Sequence, residues 1–199
     1  MPLQYSTNQR MIVMGQTGRG KSEFLKRAII PYIAKYIIWD IKFEYSKFGR
    51  AIHSITELKS AVLTKGCFKI IYQPLPKADL IKEFEAVCIF ILEYLRGFTF
   101  IVDELQLVAP QNRITPNFKR VITTGRSMGI GVLCATQRPQ LIDKTILTQC
   151  EHIVIFFVSS KDLEYLSSYF GEGVKWVTTA PFYSWVYCYA GVTENNPPV

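Results

Sequence analysis

Eight residues constrain this chain more tightly than any others. Gly15-Gln16-Thr17-Gly18-Arg19-Gly20-Lys21-Ser22 matches G-x-x-x-x-G-K-[ST] at every fixed position. An apolar run, residues 11–14, precedes it, and a helical stretch over residues 22–30 follows, stopped by Pro31. A buried strand that turns through glycines into a helix aims successive backbone N–H groups at one point. The helix N-terminus adds its partial positive charge there. Such a loop holds nucleotide phosphates. Lys21 is placed to reach the β- and γ-phosphates, and Ser22 to set its hydroxyl on Mg²⁺.

The rest of the chain repeats the alternation of buried strand and helix. Strands are expected at residues 36–39, 68–72, 98–102, 131–135 and 152–157, with an aromatic edge or closing strand at 182–189. Helices are expected at 56–63 (capped by Ser54 or Thr56), at 80–96 (stopped by Gly97), from Pro116, at 142–147, and from a Ser160 cap to about 169. Residues 41–51 read as a polar connector. The pattern implies an α/β fold with a mainly parallel central sheet and helices on both faces. At 199 residues and 49% hydrophobic, the chain suits one domain, 1–199. Its motifs fall between about residues 10 and 158, and residues 192–199 read as a flexible or extended tail.

Phe98-Thr99-Phe100-Ile101-Val102 ends in two carboxylates, Asp103 and Glu104. Asp103 is suited to hold Mg²⁺ beside Ser22, and Glu104 to act as a general base on water. A base supplied by the chain points to true hydrolysis rather than a slow switch. The 5 cysteines, Cys67, Cys88, Cys134, Cys150 and Cys188, show no CxxC spacing and read as buried reduced thiols. The N-terminus has no basic-then-apolar leader, and the most apolar helical stretch, 86–95, is too short to cross a bilayer. A soluble protein with no membrane partner is therefore expected, located in the cytoplasm. A net charge of +7 and a pI near 9.1 favour a polyanionic partner.

A third motif, Gly125-Arg126 followed by Gly129-Ile130-Gly131-Val132-Leu133 and Ala135-Thr136-Gln137-Arg138-Pro139, resembles the FtsK–HerA superfamily of DNA-pumping ATPases. Trp39-Asp40-Ile41-Lys42-Phe43-Glu44-Tyr45 is similar to that family's D-P-x-G-E-Y segment, with Ile41 and Phe43 in place of proline and glycine. The resemblance spans about residues 11–157. With no barrel, winged helix or membrane segment, the chain is most similar to the genome-packaging ATPases of double-jelly-roll DNA viruses, the poxvirus type. The archaeal turreted icosahedral viruses stand nearest among them. The resemblance implies a single RecA-like P-loop NTPase domain that binds ATP and Mg²⁺ and works as a homo-oligomeric ring. Its expected partners are double-stranded DNA, held without regard to sequence, and a capsid vertex, in host cytoplasm or on the procapsid. It also gives roles to residues: Gln137 senses the γ-phosphate or the water, and Arg126 reaches a neighbour's nucleotide as a finger, with Arg138 as second candidate.

Two basic clusters are candidates for gripping DNA phosphates: Lys42, Lys47 and Arg50, and Arg113, Lys119 and Arg120. Tyr45 and Phe48 interleave with the first and are placed to stack on bases if the strand is single. The competing readings are a conjugation or secretion ATPase moving DNA or protein, a small-molecule nucleotide kinase, a GTPase switch, and a nucleic-acid-binding structural protein. A kinase lacks a lid segment here, a GTPase lacks a guanine-reading motif, and a structural protein leaves the phosphate loop unexplained.

Overall fold

The computed structural model describes residues 6, 8–64 and 68–199. Among these residues nine strands form one sheet in the order β3-β4-β2-β5-β6-β1-β7-β8-β9. They are β1 (Arg10–Met14), β2 (Tyr36–Trp39), β3 (Arg50–Ile52), β4 (Lys69–Tyr72), β5 (Thr99–Val102), β6 (Gly131–Thr136), β7 (His152–Ile155), β8 (Trp185–Tyr189) and β9 (Val192–Asn196). The first seven run parallel, and β8 and β9 are antiparallel additions beside β7. The helices are α1 (Lys21–Phe24), α2 (Ile55–Lys59), α3 (Leu80–Tyr94), α4 (Pro116–Thr124), α5 (Lys144–Gln149) and α6 (Ser160–Phe170).

Alternation along each strand splits the core into two layers. Ile12, Met14, Ile37, Trp39, Phe100, Val102, Val132 and Cys134 face one side, where Leu58, Phe84, Phe118, Ile146 and Leu166 of α2 to α6 cover them. Met11, Val13, Ile38, Ile101, Leu133 and Ala135 face the other, where Phe24, Leu25 and Ile29 pack. Helices thus cover both faces of a mainly parallel sheet, as the alternating pattern implies, but unequally. Phe84 anchors the thicker layer: its ring lies 5.1 Å from Trp39, 4.9 Å from Phe118 and 5.7 Å from Phe100.

The structure departs from the sequence reading at several points. The connector 41–51 hides the short strand β3, paired parallel with β4. The expected flexible tail begins with β9, whose ladder to β8 runs from Val192 opposite Tyr189 to Asn196 opposite Trp185. The helix after the phosphate loop is α-helical only to Phe24, widens into a π turn over Leu25–Ile29 and closes in a 3-10 turn, Ile30–Tyr32. Pro31 supplies no N–H to continue it. Ser159, not Ser160, caps α6, accepting from the Asp162 N–H. Ser54 caps α2. Cys88, Cys134, Cys150 and Cys188 are free thiols. Cys67 lies outside the described residues. Among the described residues no helix is long and apolar enough to cross a membrane.

Candidate active site

The strand order brings the three motifs together. β6 lies between β1 and β5, and all three run the same way. The phosphate loop leaves the tip of β1, the acidic pair leaves β5, and Gln137 leaves the strand between them. Ligands of open parallel sheets gather at this edge. Gly15 must be glycine: φ is 159°, and a Cβ there would stand 2.7 Å from the Cβ of Phe156. Gly20, at φ 103°, makes the turn into α1. Lys21 folds back under the loop and donates from Nζ to the Gln16 carbonyl at 3.0 Å. Burial lowers its pKa, and the charges of Glu104 and Asp103 work against that shift.

Asp103 is buried, and burial together with the neighbouring Glu104 charge pushes its carboxyl up to about 6. Its Oδ1 accepts the Glu104 N–H at 2.9 Å. The Tyr45 hydroxyl lies toward Ser22 and Asp103, is fully buried, and makes no protein hydrogen bond. A crowded carboxylate and an unsatisfied hydroxyl beside the Ser22 hydroxyl are a donor set that suits Mg²⁺ and its water shell. A divalent cation there would reverse the penalty on the charged form of Asp103.

Glu104 is 5% exposed and sits at φ 51°, ψ 47°, a left-handed conformation uncommon outside glycine. Gln137 donates from Nε2 to Glu104 Oε1 at 2.5 Å and accepts from Thr17 Oγ1. Gln106 donates to Glu104 Oε2 and accepts from Thr136 Oγ1 at 2.8 Å. Lys42 forms an ion pair with Glu104 Oε1. Burial alone would raise the Glu104 pKa, but the bonds from Lys42, Gln137 and Gln106 outweigh it and hold the carboxyl below its ordinary value. Lys42 moves the opposite way: burial would lower it, and the Glu104 bond and charge raise it.

The turn carrying Lys42 and Tyr45 is held by Asp40. The fully buried Asp40 carboxylate accepts the N–H groups of Glu44 and Tyr45, each at 3.0 Å, and Gln73 Nε2 at 2.9 Å. Phe43 takes φ 59° within the turn. Lys42, read from sequence as a DNA-gripping residue, therefore turns into the nucleotide cleft. Tyr45 is no base-stacking residue either, being buried with its ring 6.3 Å from the partly buried Phe48. Arg50 opens β3 opposite Ile70, at the other edge of the sheet. Lys47, Arg113, Lys119 and Arg120 are exposed.

Arg126 is not brought to this site. It lies in the turn before β6, roughly 20 Å from the loop by the length of that strand, and pairs with Glu151 at 2.7 Å. Arg138 is exposed beside Gln16, Thr17, Gln137, Ser159 and Asp162. Arg19 is clamped between the rings of Phe157 and Phe182, at 4.2 and 4.1 Å, and Tyr183 borders the cleft next to Gly20.

Solved structures match across the chain. The genome packaging NTPase B204 of Sulfolobus turreted icosahedral virus 2, in complex with ATP-gammaS, superimposes with a TM-score of 0.83 at 21% identity, covering 98% of this chain and 100% of that one. The present chain has the fold of that viral packaging NTPase. The pCW3 conjugation coupling protein TcpA has a TM-score of 0.59 at 18% identity, over 95% of this chain and 60% of its own. In sequence, Protein P9 of Pseudoalteromonas phage PM2 is 32% identical over 146 residues, 72% of this chain and 66% of P9, just under two thirds of its length. Probable helicase MJ1565 of Methanocaldococcus jannaschii is 32% identical over 66 residues, 13% of that protein. No protein-family model matches the chain. The packaging-NTPase fold is the one the three motifs imply, and the likeness in fold extends over 98% of the chain.

Proposed function

We propose that the chain is an ATP-driven motor that moves double-stranded DNA into a viral capsid by Mg²⁺-dependent hydrolysis. The observation that carries this reading is Gln137, which is bonded at once to Thr17 of the phosphate loop and to Glu104 of the acidic pair. A side chain in that position responds both to the terminal phosphate and to the base. The likeness to a genome packaging NTPase supports the same choice over the conjugation or secretion alternative, whose coupling-protein relative fits less closely.

The loop residues 15–22 bind the phosphates through backbone N–H groups, and Lys21 adds a point charge. Ser22 and Asp103 would hold Mg²⁺, which would neutralise part of the phosphates' negative charge. Glu104 takes a proton from the attacking water, oriented by Gln137 and Gln106. Arg126, on the edge opposite its own loop, acts in trans on a neighbour in a homo-oligomeric ring, with Arg138 as the alternative. Lys47, Arg113, Lys119 and Arg120 grip DNA backbone without reading bases. The ring docks on a capsid vertex in the host cytoplasm.

The test is ATP turnover with and without double-stranded DNA, using Lys21→Ala as control. Turnover should rise several-fold with DNA, fall at least about a hundredfold in the variant, and show a DNA affinity that drops steeply with salt. DNA-independent phosphate transfer to a small acceptor would instead establish a kinase.

A further inference from the structure

Glu104 is over-supplied with partners for a residue that must receive a proton. Oε1 accepts from both Lys42 and Gln137, which line the cleft, and Oε2 accepts from Gln106. Each carboxylate oxygen offers two lone pairs, so Oε1 has none left for water. Of the three partners, Lys42 is the one that can leave. Gln137 is tied to Thr17, and Gln106 to Thr136. Lys42 hangs from the Asp40 turn by a flexible stem, with its side chain 41% exposed. Its ammonium lies in the same cleft as Lys21, Gly18, Gly20 and Ser22. A terminal phosphate in that cleft carries more negative charge than one carboxylate and offers three acceptor oxygens.

We propose that Lys42 is a triphosphate-discriminating residue that rests on Glu104 and transfers to the terminal phosphate when a triphosphate enters. The inference rests on the nucleotide-binding reading above and deepens it. In the resting cleft Lys42 occupies the base. A diphosphate leaves it there, since no oxygen lies within its reach. A triphosphate draws it away, and Oε1 gains a free lone pair at the moment an attacking water has something to attack. Binding and base release are then one event, and an empty or spent cleft keeps its base blocked.

The experiment is calorimetric binding of Mg-ATPγS and Mg-ADP to the full chain and three variants. Lys42→Ala should lose about tenfold or more in ATPγS affinity, with ADP affinity changed less than about twofold. Lys42→Arg should recover most of the preference. Glu104→Gln should gain several-fold in ATPγS affinity, because Lys42 no longer has a carboxylate to leave, and the double variant should lose that gain. In turnover, KM for ATP should rise in Lys42→Ala more than kcat falls. A Lys42→Ala protein with the wild-type ratio of ATPγS to ADP affinity would overturn the proposal, as would an equal loss for both nucleotides. Should Lys42→Ala fail to fold, Glu104→Gln decides alone: unchanged ATPγS affinity rejects the transfer. Wild-type protein binding neither nucleotide would overturn the nucleotide reading and this inference with it.

Discussion

Glu104 is bent into a left-handed backbone conformation at φ 51°, which costs a non-glycine residue about 1 kcal/mol or more. That cost aims the carboxylate back over the strand tips, between Gln137 and Lys42. Replacing it with glutamine keeps the shape, the backbone strain and most hydrogen bonds while removing the base. We expect Glu104→Gln to bind ATP and lower single-turnover hydrolysis about a hundredfold to ten-thousandfold. Turnover near wild type would move the base elsewhere. The acidic pair was legible in sequence because a buried strand ending in carboxylates is a local signal. Lys42 was not, because its partner sits on another strand. Read alone in a run with Lys47 and Arg50, it joined a DNA-facing cluster that the fold breaks up.

Between β2 and β3, one buried carboxylate does the work of a capping motif. Asp40 satisfies two backbone donors and the Gln73 amide, so Asp40→Ala takes the acceptor from both N–H groups and leaves Gln73 Nε2 only Ser46 Oγ. A loss of about 3 kcal/mol or more in chemical denaturation is expected, together with weakened nucleotide binding as Lys42 and Tyr45 drift. Asp40→Asn should recover part of the stability. The edge hairpin gives a pH signature. His152 stacks on Tyr189 at 4.7 Å and bonds Tyr187 through Nδ1 at 2.6 Å. Burial lowers its pKa from 6.5, against a smaller opposing effect of Glu151. A lowered histidine pKa means the unfolded chain takes up the proton more readily. Its contribution to stability is therefore complete above pH 6.5 and fades as pH falls below that value. Thermal unfolding followed between pH 6.5 and 5.5 should show Tm falling, with a shallower slope in His152→Phe. Parallel slopes would place the titration elsewhere. The hairpin itself shows what patterning misses: β9 is largely polar and half exposed, and β3 is three residues long. Both are stabilised by the ladder they join, not by a hydrophobic pattern of their own. The fully buried strands β1, β2, β5 and β6 carry that pattern and are legible in it.

Arg126 stands on the opposite edge of the sheet from the phosphate loop of its own subunit, so any part it plays in hydrolysis needs a second copy. Turnover per subunit should climb with protein concentration. Mixing Arg126→Ala with Glu104→Gln, each inactive alone, should restore part of the activity, since some interfaces then hold one intact Glu104 and one intact Arg126. No recovery in demonstrated mixed oligomers would exclude Arg126 and leave Arg138 for the same test. The strand order has a separate consequence for how the molecule is made. β1 precedes the other described strands in the chain, yet it lies between β6 and β7. On a ribosome, β2, β4 and β5 can pair as they emerge, while the apolar residues 11–14 have no neighbour until the sixth and seventh strands are out. The early chain therefore carries the phosphate-loop sequence without the loop, and exposes a strand that invites the wrong partner. A chain cut before Gly131 should accumulate as aggregate, for the same reason that the intact chain closes its phosphate loop only once the sixth and seventh strands are out.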